Sequence, residues 1–393
     1  MSHLADSLSH ETLFMLAERE SGAFGLADAG LRQRVKSMVD WINSRGPYTP
    51  DQVTAMRRQL QGILVNRLRL ILDRKAFPGI VAEKIERPIF VIGFARSGST
   101  LLHSLLAEDP EALTPLVWHT RMISPPPGAG PIPPGRIAYA NRYVEQWIDM
   151  CPGQLVLHPY ADMGAYMTIE DEEIYTLDFR NAYPSLMYHM PTLEVRVVLD
   201  NDGRDTFRFH REVLQHLQWN TGKRHWVCKT GSAQGSLPGL FEVYPDALLV
   251  WSHRPIAEIY ASNVAVRSVT YDAINGGAID WNAQSRERAE LMKAHLDRLM
   301  ANEMIDDPRI MHIPFQELSA DPVGTIKGIL ARHDRIVSPE YEARMRSWLD
   351  NPHNKVDRYG RYPYSYESLG FSKKWVQDLF ANYSARFGLQ EES

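Results

Sequence analysis

The sequence predicts an α/β protein: a parallel sheet flanked by helices, with an N-terminal helical extension. Three observations predict it. Short, wholly apolar runs recur at residues 89–92, 226–228 and 247–251, the pattern of strands buried on both faces. Segments with helical spacing separate these runs, which is the alternation of βαβ units. Residues 1–86 carry apolar residues three and four apart, the spacing of amphipathic helices. The expected organisation is therefore a helical extension over residues 1–86 and an α/β domain over residues 87–393.

In chain order, helices are expected over residues 11–20 and 27–43. Thr49-Pro50-Asp51-Gln52 then supplies an N-cap, a proline at the first helical position and a capping glutamine, opening a long helix to about residue 73. No catalytic constellation stands out in this region. Its expected role is packing against the main domain, shaping an acceptor site or making a homodimer contact.

A strand over residues 89–92 and a turn through Gly93-Phe94-Ala95-Arg96-Ser97-Gly98-Ser99-Thr100 come next, followed by leucines at helical spacing up to Ala107. Backbone N–H groups at such a strand–loop–helix junction point outward unpaired, and the helix dipole adds positive potential, which makes an anion cradle. Gly93 and Gly98 bracket four residues, as in the phosphate loop of nucleotide hydrolases, G-x-x-x-x-G-K-[ST]. Here Ser99 fills the lysine slot and Thr100 keeps the hydroxyl. Without that lysine the loop fits one phosphate group better than a triphosphate. Arg96 supplies a forked cation suited to an oxyanion.

Residues 113–121, with Trp118 and His119, read as a second buried strand or extended segment. The stretch 124–135 is dominated by Pro and Gly and forms neither helix nor central strand, leaving a spacer or a wall of the acceptor pocket. Residues 136–150 read as helix. The acidic run Glu170-Asp171-Glu172-Glu173 opens another, where carboxylates complement the dipole on a solvated first turn. Residues 226–228 form a strand ending in Lys229, residues 237–244 a helix, and residues 247–252 a strand. Pro255 then starts a helix that carries Ser262 about two turns beyond Arg254. Ligands of parallel sheets bind at the carboxyl ends of strands, which is where Arg96, Lys229 and Arg254 fall.

Composition narrows the function. A net charge of −5 provides no global basic field for nucleic acid. Two cysteines, Cys151 and Cys228, are too few for a disulfide framework. The first residues lack a signal-peptide pattern, and no apolar run reaches the roughly 18–20 residues a membrane span needs. A soluble, cytoplasmic protein without a transmembrane segment is expected.

The loop Ala95-Arg96-Ser97-Gly98-Ser99-Thr100-Leu101, with Arg254 and Ser262, resembles the sulfotransferase superfamily, nearest to the bacterial branch related to tyrosylprotein sulfotransferases. The likeness extends over about residues 87–387. It implies a phosphate-loop-type sulfotransferase fold that binds the nucleotide 3′-phosphoadenosine 5′-phosphosulfate (PAPS) and needs no metal. The sulfuryl group of PAPS would pass to a hydroxyl or amine of a small-molecule or lipid-like acceptor. The resemblance implies that Ser97, Gly98, Ser99 and Thr100 hold the 5′-phosphate, that Arg96 and Lys229 hold the sulfuryl group and bridging oxygen, and that Arg254 and Ser262 clasp the 3′-phosphate.

The acceptor half departs from the family pattern. His119 follows Trp118 where relatives place a glutamate, residues 229–233 read Lys-Thr-Gly-Ser-Ala, and Tyr362 replaces a tail histidine. His119 is the expected general base, with Glu170 and Asp171 in reserve, because an imidazole titrates near neutral pH. Two other classes stay open: a nucleotide-binding protein of the same fold without transfer activity, and a phosphate-loop kinase or hydrolase. The latter calls for a lysine after Gly98 and a strand-end aspartate, and the sequence has neither there.

Overall fold

The structure is a computed structural model describing residues 7–180, 202–275 and 280–390. The chain forms two compact units. One comprises Met1–Ile85, Pro115–Trp147 and Met163–Lys223, and the other Glu86–Thr114, Ile148–Asp162 and Arg224–Ser393. The first residues, where a signal peptide would be sought, lie outside the described residues.

The second unit holds the sheet, whose strands are β1 (Ile89–Gly93), β2 (Ala112–Leu113), β3 (His225–Lys229), β4 (Leu248–His253) and β5 (Ile310–Pro314). All pairings are parallel, in the order β2-β3-β1-β4-β5. Strand order reverses about β1, the switch point beside which such sheets open a ligand crevice. Register decides what stands there: Val91 pairs with Lys229, Gly93 with Ser252, and His253 with Pro314. Every residue of β1 and β4 is buried, the polar Ser252 and His253 at the end of β4 included.

Alternation along β1 sends side chains to two layers. Ile89 and Val91 share a cluster with Leu102, Leu105 and Leu106 of the helix Ser99–Ala107 and with Ile326, Ile329 and Leu330 of the helix Pro322–Arg332. Phe90 packs instead on Tyr244, with centroids 5.2 Å apart. Beside it lies a buried polar chain. His312 Nε2 donates to the Ile305 carbonyl at 2.8 Å, so its Nδ1 accepts from His253 Nε2 at 2.8 Å, and His253 Nδ1 accepts from the Tyr383 hydroxyl at 2.7 Å. The carbonyl admits only a donor, and that sets the direction of every proton in the chain. Phe387 stacks on His253 at 3.9 Å.

The first unit is built on the helices His10–Ser21, Ala29–Asn43 and Pro50–Ala76, close to the expected bounds. Their apolar stripes meet in one core containing Leu13, Phe14, Leu31, Val35, Leu60, Leu64 and Leu68. The capping box forms: Thr49 Oγ1 accepts from Gln52 N–H at 3.2 Å, and Gln52 Oε1 from Thr49 N–H at 2.9 Å. Asp178 is buried. Burial would raise its carboxyl, but Arg67, Arg34 and Arg180 hold it below the usual range.

Two local expectations are corrected. The segment 113–121 is not one strand: β2 is two residues long, and Val117–Arg121 is helical. His119 Nδ1 accepts the Leu116 N–H at 3.0 Å and so satisfies a donor at the start of that turn. The acidic run is not solvated either. Asp171 and Glu172 are 0% and 6% exposed at the start of the helix Glu172–Leu177, and burial raises the Asp171 carboxyl. Among the described residues, no helix is long and apolar enough to cross a membrane.

Burial pushes His119 down to about 3 and His216 to about 4, and it holds His253 well below the ordinary imidazole value. Unfolded imidazoles gain protons as pH falls below about 6.5, while these stay neutral in the fold. Their contribution is intact above that pH and is lost as pH falls from it, by about 1.4 kcal/mol per histidine at pH 5.5. Urea midpoints measured at pH 7.5 and 5.5 should therefore fall less steeply for His253→Gln than for the parent. Equal slopes would mean that His253 is protonated in the fold.

Candidate active site

The site grows from the end of β1. An added Cβ on Gly93 would lie 2.5 Å from Ser252 Oγ, 2.7 Å from Ser97 Oγ and 2.9 Å from the Ser252 carbonyl oxygen, so only glycine fits. Ser97 N–H closes a turn on the Phe94 carbonyl at 3.1 Å. Gly98, at φ 94°, then hands the chain to the helix Ser99–Ala107. Leu102 N–H is the donor that returns to the Gly98 carbonyl. The N–H groups of Ser99, Thr100 and Leu101 precede the first complete helical turn and have no intrahelical acceptor.

The hydroxyls divide. Ser97 is buried and bonds to Ser252 Oγ at 2.7 Å, while Ser252 reaches the Ile92 carbonyl at 3.4 Å. Ser97 therefore ties the loop to β4, and the hydroxyl expected for the phosphate is held by Ser252. Thr100 Oγ1 instead accepts from Lys229 Nζ at 3.0 Å, placing that ammonium at the helix N-terminus. Ser99 is buried beside it.

Arg96 takes a left-handed backbone, φ 75°, uncommon for a residue with a Cβ and a form of strain concentrated at functional sites. Its Nε donates to Ser262 Oγ at 3.1 Å and its Nη1 to the Leu157 carbonyl at 2.7 Å. Asn263 Nδ2 braces the same loop at the Ala95 carbonyl, 3.0 Å away. Arg254 follows β4, its guanidinium 4.6 Å from the centroid of Phe315. Ser262 lies on the helix Ile256–Asn275, as expected, but bonds to Arg96 rather than standing with Arg254. Three cations thus gather at the carboxyl ends of β1, β3 and β4.

These features belong to one family. The description "Sulfotransferase family" matches residues 88–338. The chain belongs to the sulfotransferase family. Its fold is that of solved sulfotransferases. One from Mycobacterium avium is 25% identical, with a TM-score of 0.81 over 100% of this chain and 99% of that one. One from Mycobacterium tuberculosis H37Rv is 23% identical, with a TM-score of 0.72 over 96% and 100%. No curated protein matches the sequence.

The remaining expected residues lie in the first unit. His119 is buried, its Nδ1 accepts the Leu116 N–H, and its proton therefore sits on Nε2. Burial, then Arg136 and His216, lower its affinity for a second proton. Glu170 is half-buried, two residues before the helix Glu172–Leu177. Asp171 is fully buried, with an oxygen 3.5 Å from His210 Nε2.

The sequence reading missed Ser252, Asn263, Phe315 and the Leu157 carbonyl. Ser252 left one trace, a small polar residue ending an apolar strand. The other three depend on register and packing across distant segments.

Gly98 provides a direct test. A Cβ there would sit 2.5 Å from the Phe315 ring at a φ that side chains avoid. Gly98→Ala should cost about 1–3 kcal/mol in thermal melts. Gly62→Ala, within the helix Pro50–Ala76 and with nothing within 4 Å of the added Cβ, should instead stabilise by about 0.5–1 kcal/mol.

Proposed function

We propose that the chain transfers the sulfuryl group of PAPS to a hydroxyl or amine of a small-molecule or lipid-like acceptor. One observation carries this reading: a helix N-terminus that only glycine backbone can form, with Arg96, Lys229 and Arg254 around it. The donor set fits a phosphosulfate. Unpaired N–H groups and Thr100 suit the 5′-phosphate, Lys229 suits the bridging oxygen, and Arg254 suits a separate phosphate. PAPS supplies the activated sulfur–oxygen bond. The acceptor oxygen forms a bond to sulfur as the bond to the bridging oxygen breaks, and the charge passes to the departing phosphate. Lys229 and the helix N-terminus stabilise that charge where it develops.

The acceptor proton needs a base. We assign it to Glu170 rather than His119. At neutral pH, His119 as held offers a donor at Nε2 and an occupied Nδ1, and its value of about 3 is far from working pH. Its Nε2–H suits orienting an oxygen. A neighbouring reading, nucleotide binding without turnover, predicts the same donor contacts and no product.

Calorimetry with 3′-phosphoadenosine 5′-phosphate should show binding without magnesium. Arg96→Ala should weaken that binding roughly ten- to a hundred-fold, the scale of a lost charge-assisted contact. Parent-like binding by Arg96→Ala would remove Arg96 from the donor site. In single-turnover transfer of labelled sulfate, Glu170→Gln should lose about a hundred-fold or more in rate with donor binding intact. If Glu170→Gln keeps its rate while His119→Ala loses it, together with a pH limb near neutrality, the base is His119.

A further inference from the structure

Parallel pairing of β4 with β5 matches His253 to Pro314, so the next residues, Arg254 and Phe315, leave the sheet side by side. The Arg254 guanidinium carbon lies 4.6 Å from the centroid of the Phe315 ring. Among the described residues, Arg254 has no hydrogen-bond or ion-pair partner. The same ring closes on the glycine loop: a Cβ added to Gly98 would come within 2.5 and 2.9 Å of two ring carbons and within 3.4 Å of Leu318. Phe315 begins the helix Phe315–Ala320 and is half-buried against the core that contains Leu318. One side chain therefore spans the gap between the loop after β1 and the cation after β4.

We propose that Phe315 is a positioning residue that holds Arg254 ready for the 3′-phosphate of the donor and so sets the preference for a 3′-phosphorylated nucleotide. The inference rests on the donor reading above and deepens it. A carboxylate would fix an arginine more tightly, but it would neutralise the charge and occupy the N–H groups that a phosphate needs. An aromatic ring holds the guanidinium through its π-face and leaves those donors and the full charge available. An arginine already placed loses less freedom when the anion arrives. Because the ring is wedged on Gly98, the position of the Arg254 group is referenced to the loop proposed to hold the 5′-phosphate. The spacing between the two anion sites is thereby fixed by one side chain.

The test uses the full chain and two probes, adenosine 3′,5′-bisphosphate and adenosine 5′-phosphate, titrated calorimetrically. The parent should prefer the bisphosphate. Phe315→Leu keeps apolar bulk against Gly98 but removes the π-face, and it should reduce that preference about tenfold with the affinity for adenosine 5′-phosphate unchanged. Phe315→Tyr should restore it. A Phe315→Leu protein with the parent's preference overturns the proposal, as does one that loses both ligands equally, which would make Phe315 merely structural.

A thermal double-mutant cycle of Phe315→Leu and Arg254→Gln is run beside the titrations. If the parent shows no preference for the bisphosphate, the donor reading of Arg254 fails, and the cycle still decides the contact. Non-additive melting shifts support Phe315 as the group that holds Arg254; additive shifts overturn it.

Discussion

Parallel pairing of β1 with β4 brings Gly93 opposite Ser252 at the carboxyl edge of the sheet. At that point the two backbones approach too closely for any side chain on residue 93. The loop that follows is sewn to the neighbouring strand by the Ser97–Ser252 hydrogen bond. The start of the helix Ser99–Ala107, the backbone of Arg96 and the exits of Lys229 and Arg254 all take their positions from this register. A shift of one residue would move every one of these groups and exchange the two buried faces of β1.

Within that frame, the electrostatics are local. The chain carries a net charge of −5, yet three cations converge at the strand ends. Each has a neutral group among its contacts: Ser262 and the Leu157 carbonyl for Arg96, Thr100 for Lys229, and the Phe315 ring for Arg254. For Arg254 the ring places the cation without cancelling its field, which suits the anion site proposed for it. The polar groups behind the sheet act differently. The Tyr383–His253–His312 chain ends on a backbone carbonyl and carries no charge, so it packs beside Phe387 without an ion buried in the core.

The helical unit shows how chemistry-bearing residue types can be taken up by local structure. His119, the imidazole singled out in a linear reading, completes the turn Val117–Arg121 through its Nδ1, and burial keeps it neutral. Asp171 and Glu172 look like a solvated helix start and are buried instead. In each case burial has the largest effect, lowering His119 and raising Asp171. His119 responds to Arg136 and His216, and Asp171 to His210.

The sequence alone determined the strand–loop–helix around Gly93 and Gly98, the parallel α/β class, the Thr49 capping box and the family. Each rests on residues adjacent in the chain, where backbone geometry and hydrophobic period act directly. The tertiary structure decided which hydroxyl faces which partner. Ser97 turned to Ser252, Ser262 to Arg96, and Arg254 to Phe315. It also broke the expected strand over residues 113–121, because within that segment only Leu113 finds a partner in β3. Those outcomes depend on register and packing between segments distant in the chain, and no local pattern encodes them.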